Sequence, residues 1–192
     1  DLRENLSIDT AQLMQSAEKI EAGDREFFVE ELVTPGFVYI FGGGHVGQAL
    51  VPALAAVGFA PIVLDDREEF VNPDLFPGAY AVCLCDLGDI AATVTITDRD
   101  YVCVMTRGHA NDLEVQAQAL KTPARYIGVI GSKKKTKIVR DRLLERGFTE
   151  EDLDRITAPI GLNIGGKSPA EIAVSITAQL IQIRSADYKQ GN

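Results

Sequence analysis

The chain has 192 residues, of which 46% are hydrophobic, enough for one domain of ordinary size with an additional element, and this excludes a disordered or fibrous protein. Its 19 basic against 28 acidic side chains give a formal net charge of -9, which repels a phosphate backbone at long range and excludes DNA and RNA as partners. Cys83, Cys85 and Cys103 are an odd number and sit in apolar runs, a pattern of reduced, buried thiols in a cytoplasmic protein rather than of a disulfide framework.

The spacing of Ile8, Leu13, Ala17 and Ile20 predicts a helix over residues 7–21, with Ser7 or Asp9 as its cap and Gly23 as its stop. Glu26 to Leu32 reads as a strand, and its open edge beside that helix leads us to expect a homodimer. Val33-Thr34-Pro35-Gly36 is the clearest linker, so residues 1–35 form an N-terminal extension and the main domain runs over 36–192. The chain begins at Asp1 rather than Met, which is expected of a processed product or a fragment of a longer protein.

Phe37 to Phe41 is apolar throughout, the mark of a central parallel strand covered on both faces. Glycines follow, then a helix from about His45 to Val57 that ends at Gly58 and is kinked by Pro52, then a second strand over Pro61 to Asp65. No charged side chain occurs from Gly36 to Leu64, yet the glycines, Gln48, Pro52 and Pro61 break any membrane-spanning helix, and no signal peptide starts the chain. Further short apolar strands are predicted at Ala79–Leu84, Tyr101–Met105 and Tyr126–Ile130, with helices at about Asn111–Leu120 and Lys133–Arg146. Ser168-Pro169-Ala170-Glu171 predicts a final helix start by capping box, with the helix reaching about Ile183. The alternation gives an α/β fold: a Rossmann-like, doubly wound parallel sheet with helices on both faces, preceded by a short helix and strand.

Gly42, Gly44 and Gly47 fit G-x-G-x-x-G, and the context strengthens a pattern that is weak alone. It follows an apolar strand, opens a helix, and is answered by Asp65 about 20 positions on, at the end of the next strand. Gly42, Gly43, Gly44, His45, Val46 and Gly47 are therefore expected to hold a nucleotide-like phosphate, with Asp65 accepting from ribose hydroxyls. Asp66 disfavours a 2′-phosphate while Arg67 could pair with one, so NAD and NADP both stay open. Thr106 and Arg107 follow another strand at the carboxyl edge, where Arg107 could clamp an anion and His109 with Asp112 could carry a proton. Gly131, Ser132 and the run Lys133-Lys134-Lys135 sit at the same edge. Lysines at an electropositive helix N-terminus call for an anion or acidic neighbours to offset them. Gly161 to Ser168 satisfies the Walker A pattern letter for letter, but Ile156 to Pro159 is a poor strand and only one helix remains after it, so this is a chance match. The cysteines and histidines have no metal-ligand spacing, and no metal bound directly by side chains is expected.

With these residues laid out, the chain resembles the C-terminal Rossmann domain of the XdhC/CoxI family, accessory factors of xanthine dehydrogenase-type molybdenum hydroxylases. The resemblance covers roughly residues 26–185. It is carried by Phe28-Val29-Glu30, the Phe41 to Gly47 turn, Leu64-Asp65-Asp66-Arg67, Thr106-Arg107-Gly108-His109 with Asp112, and Ile130-Gly131-Ser132 with Lys135. It continues through Pro159 to Gly165 and then Pro169, Glu171-Ile172-Ala173 and Ser175-Ile176. It implies a cytoplasmic maturation factor, a chaperone rather than an enzyme, that binds the molybdenum cofactor as molybdopterin or molybdopterin cytosine dinucleotide. Such a factor would assist sulfuration, with a cysteine desulfurase as possible partner, and insertion into an apo molybdenum hydroxylase. Members of this family usually carry a further N-terminal domain, whereas about 35 residues precede the first strand here. An NAD(P)-dependent oxidoreductase using His109 and Asp112, and a regulatory nucleotide-sensing domain, are the other functions the residues leave open.

Overall fold

β3 (Phe37–Phe41) occupies the middle of a six-stranded sheet, as an all-apolar strand must. The computed structural model describes the backbone of residues 18–22, 25–29 and 36–190, and the side chains of residues 36–186 other than His109 and Lys133. Along the chain β3 is followed by α1 (His45–Ala56), β4 (Ala60–Asp65), β5 (Ala81–Leu84), β6 (Tyr101–Val104) and α2 (His109–Ala119). Next come β7 (Tyr126–Val129), α3 (Lys133–Glu145), the short α4 (Glu150–Asp154), β8 (Ile156–Thr157) and α5 (Pro169–Gln190). The strands lie in the order β5-β4-β3-β6-β7-β8 and every neighbouring pair is parallel.

This is the order of a doubly wound dinucleotide-type sheet. The chain winds outward from β3 to β5, then returns to the centre and winds the other way from β6 to β8, and right-handed crossovers put the helices on opposite faces. The alternation of side chains along the strands matches. Ile40 and Val63 are fully buried, as are Leu50 and Leu54 of α1, while Tyr39, Phe41, Val102 and Val104 belong to a core cluster with Leu113, Val139 and Leu143 of α2 and α3. Asp100, buried at the opposite edge, accepts from the amides of Phe37 (2.8 Å) and Thr97 (2.7 Å) and so ties the start of β3 to the start of β6.

The structure departs from the sequence expectation in two places. Residues 18–21 are not the end of a helix: β1 (Glu18–Ala22) pairs antiparallel with β2 (Arg25–Val29), because the β-forming run Phe27-Phe28-Val29 offers an extended partner and the pairing satisfies both backbones. The helix predicted upstream of residue 18, and the linker at 33–35, lie outside the described residues. Ile156–Thr157, a poor strand by its sequence, forms the sixth one through its pairing with Ile127 and Gly128. The connection from β4 to β5, for which no helix was expected, carries short 3-10 turns at Glu68–Phe70 and Pro73–Leu75. By contacts, residues 35–179 form one compact unit, and the hairpin with the last helix from Leu180 belongs to another. Among the described residues no helix is long and apolar enough to cross a membrane.

Candidate functional site

The direction of winding reverses between β3 and β6, and an open sheet offers its ligand crevice at the carboxyl ends of those two strands. Gly42 leaves β3 at φ +121°, and a Cβ there would stand 2.4 Å from the Met105 carbonyl oxygen, so the turn can be made only by glycine. Its amide donates to the Leu64 carbonyl (2.8 Å) while the Met105 amide donates to the Phe41 carbonyl (2.9 Å), which stitches the three strand ends together beneath the crevice. Gly47 packs on the turn itself, its Cβ position 2.5 Å from the Gly42 carbonyl oxygen.

Gly44 behaves differently. It caps α1 with φ -68° and ψ -174°, a conformation open to any residue, and a Cβ there would meet nothing within 4 Å. The cap has no side-chain hydrogen bond, the first turn of α1 holds no acid, and His45 is exposed. Such an end attracts an anion through its unpaired N–H groups and the helix dipole.

Asp65, the expected ribose acceptor, is engaged by donors of the chain itself. It is 2% exposed, and its Oδ2 accepts from the Gly43 amide (2.6 Å) and Arg67 Nη2 (2.9 Å), while Oδ1 accepts from the Arg67 amide (3.1 Å) and Nε (2.8 Å). Burial pushes this carboxyl up, but the Arg67 guanidinium and the Gly43 amide outweigh it and hold it below the usual carboxylate range. Arg67 in turn lies 3.9 Å over the Phe70 ring and is committed to Asp65 rather than free for a 2′-phosphate. The expected sugar acceptor is thus a strut for the glycine turn. Asp66 stays at the surface, where Asn111 Nδ2 donates to it (3.2 Å) and links the end of β4 to the first turn of α2.

Across the crevice, Thr106 and Asp112 of one motif meet Lys135 of another. Thr106 Oγ1 donates to Asp112 Oδ1 (2.6 Å), and Lys135 Nζ lies 2.5 Å from Oδ2. The Lys135 contact lacks hydrogen-bond alignment, so charge rather than a directed N–H holds Oδ2. Asp112 is fully buried while the Lys135 side chain is 25% exposed. Asp112 is therefore an internal counter-charge to Lys135, and its expected pairing with His109 falls on a side chain outside the described ones. The acidic neighbour that the lysine run demanded is Asp112. Ser132 caps α3, its Oγ accepting from the Lys135 amide (3.3 Å). Gly131 lies under the Lys135 stem, its Cβ position 3.4 Å from Cδ. Arg107 and Gly108 are exposed at the lip, and Gly108, at φ +95°, has open space where a Cβ would be.

The Walker-like loop carries its own anion. Glu171 Oε2 accepts from the amides of Lys167 (2.9 Å) and Ser168 (2.8 Å) and from Ser168 Oγ (2.8 Å), occupying the donors a phosphate would need. Those backbone and side-chain donors hold its pKa down at about 2. Because the folded value lies below the ordinary 4.5, this contribution to stability is present above pH 4.5 and disappears as pH falls toward 2. Glu171→Gln is accordingly expected to lower the thermal midpoint at pH 7 but not near pH 2, measured by circular dichroism melts at both. The rest of the loop is clamped to α5. Gln179 Oε1 accepts from the Gly161 amide (2.7 Å) and Tyr126 Oη (2.6 Å), and Ser175 Oγ donates to the Leu162 carbonyl (2.5 Å). These anchors escaped sequence reasoning, since a polar residue on a helix face carries no sign of its distant partner. The cysteines are free: Cys103 is fully buried and burial pushes its thiol up to about 12, Cys85 is buried, and Cys83 is half-buried.

Residues 38–180 match the family model described as the XdhC Rossmann domain. The chain belongs to the XdhC family. Among its relatives, the Escherichia coli (strain K12) protein YqeB is 31% identical over 147 residues, covering 76% of this chain and 27% of that protein. A Bacillus subtilis (strain 168) protein described as a probable xanthine dehydrogenase subunit is 29% identical over 157 residues, covering 82% of this chain and 46% of its own length. A crystal structure described as a xanthine dehydrogenase from Bacillus halodurans superimposes with a TM-score of 0.71 at 32% identity, covering 84% of this chain and 45% of that one. This XdhC-family chain thus spans less than half of each of these proteins.

Proposed function

We propose that this XdhC-family chain is an accessory factor of a xanthine dehydrogenase-type molybdenum hydroxylase, which binds the molybdenum cofactor by its phosphate and holds it for sulfuration and insertion. One observation carries the reading: at the switch point of the sheet, Gly44 opens a helix whose start has no side-chain cap and no acid, with free space to 4 Å around the Gly44 Cβ position. Bare backbone and unpaired N–H groups suit a phosphoryl oxygen. Exposed Arg107 adds positive charge at the same edge of an otherwise acidic chain, whereas Lys135 is offset by Asp112. The names of the relatives, two of which refer to xanthine dehydrogenase, support the system in which it acts. In this reading the cofactor is cargo. The chain's own residues hold and orient it, the apo hydroxylase receives it, and a cysteine desulfurase supplies the sulfur.

A nicotinamide enzyme is the weaker reading, because Asp65 is already saturated by donors of the chain itself. Gly44→Val supplies the decisive experiment. Its backbone angles suit valine, so the fold should survive, while the branched side chain fills the phosphate path. Mass spectrometry of small molecules released from the purified protein should find molybdopterin or its dinucleotide on the wild type, and uptake should fall by at least about tenfold in the variant, a loss of roughly 1.4 kcal/mol. Unchanged uptake in a folded Gly44→Val protein would remove the glycine turn as the site. We also propose a homodimer, which light scattering on the eluted protein tests directly.

A further inference from the structure

Between α2, α3, α4 and the chain leaving β8 lies a cavity of about 220 Å³. Its apolar lining is Leu143, Leu153, Ile156 and Ala158, and its polar groups come chiefly from Gln116 and Arg140. Gln116 is 4% exposed, and its Nε2 donates to the Asp112 carbonyl one turn back (2.9 Å), which fixes the plane of the amide. Its Oε1 accepts from no described residue. A smaller void of about 10 Å³ shares Gln116 and Thr136 with this cavity and borders Asp112, whose Oδ2 accepts no hydrogen bond. The inner end is thus rich in acceptors and short of donors, and an inner acceptor left without a donor is costly. Arg140, with 38% of its side chain exposed, marks the mouth. Its Nη2 meets Glu150 and, at 3.5 Å, Asp154, while Nε and Nη1 donate to no described residue. Two acids beside one guanidinium leave no net positive charge there, so an anion gains little from entering.

We propose that this cavity is a binding site for an uncharged cyclic amide, whose ring N–H donates to Gln116 Oε1 and whose carbonyl accepts from Arg140. The volume is the share of about seven waters at roughly 30 Å³ each, which suits a flat ring compound of about ten heavy atoms rather than a larger ligand. Leu143 and Leu153 take the faces of the ring, while one fixed acceptor and one donor set its direction. The site is separate from the glycine turn and does not depend on the cofactor reading. It touches the crevice only through α2, where Gln116 holds the carbonyl of the residue that faces Lys135.

The test is a titration of the purified protein, followed by methyl NMR, with three probes: quinazolin-4-one, a cyclic amide; quinoline, a ring of the same shape with no N–H donor; and benzoate, an anion. Quinazolin-4-one should shift the methyl signals of Leu143, Leu153 and Ile156 and bind at least about tenfold more tightly than either of the others, the worth of one well-placed hydrogen bond. Gln116→Met keeps the length of the side chain and removes the acceptor. It should bring quinazolin-4-one to within about twofold of quinoline and leave quinoline itself unchanged, which a merely loosened fold would not do. Ala158→Leu fills the cavity without touching its polar groups and should abolish both. Shifts that fall elsewhere, or no shift, overturn the proposal, and so does wild-type protein that takes quinoline or benzoate as tightly as quinazolin-4-one. A gap that persists in folded Gln116→Met, or binding that survives in folded Ala158→Leu, overturns it as well. Should a variant fail to fold, the wild-type ranking and the position of the shifted methyls decide.

Discussion

Gly42→Ala is expected to destabilise the domain by roughly 3 to 5 kcal/mol, through backbone strain of about 1 to 3 kcal/mol and overpacking of similar size. The residue sits at φ +121°, outside the range of an L side chain, and the new methyl would stand 2.4 Å from the Met105 carbonyl oxygen and 2.7 Å from its carbon. Relief would require β3 and β6 to separate where the Met105 amide bonds the Phe41 carbonyl, because the obstruction is backbone and has no rotamer to change. For a domain of this size the loss corresponds to a midpoint lower by about 10 °C. Gly44→Ala, two positions on, is the control. With an ordinary φ of -68° and free space around it, it should stay within about 1 kcal/mol of the wild type. Equal destabilisation by the two alanines in urea titrations would mean that the glycines share one structural role.

The second large effect belongs to Asp112. Removing its carboxylate strands the Thr106 hydroxyl and leaves the Lys135 ammonium without its counter-charge at 2.5 Å. Breaking a buried pair costs about 3 to 5 kcal/mol, but the Lys135 side chain is 25% exposed and can turn toward water, so Asp112→Ala should cost about 2 to 3 kcal/mol. Asp112→Asn keeps an acceptor for Thr106 and should cost less. Lys135→Met imposes the opposite defect, a buried carboxylate with no cation beside it, and should be as harmful as the alanine. A double-mutant cycle between Asp112→Asn and Lys135→Met is expected to show a coupling of about 1 kcal/mol or more. A coupling near zero would show that the ammonium and the carboxylate do not support each other in solution.

Much of this protein was readable from local pattern. The uncharged run from Phe37 to Leu64, broken by three glycines and answered by an acid at the next strand end, specifies a buried strand, a tight turn, a helix and a second buried strand. The parallel sheet has that unit at its centre. The capping box Ser168 to Glu171 was equally plain, because both partners lie within one helical turn. β8 was missed because two residues carry almost no periodicity, and only the edge of β7 makes them a strand. The hairpin at Glu18–Val29 was misjudged in its first half because apolar residues spaced three or four apart suit a helix as well as a strand until a partner is known.

The roles of the site residues divide along the same line. That Gly42 must turn and that the helix after it presents free amides follow from residue type and spacing alone, since both are properties of a few consecutive backbone units. That Asp65 is spent on Gly43 and Arg67, that Asp112 lies beneath Lys135, and that Gln179 holds Gly161 are matters of which side chains meet after the sheet closes. A carboxylate looks the same in sequence whether its partner is a sugar, a lysine or its own backbone, and in each of these cases folding brought the nearest donor within reach before any ligand arrived.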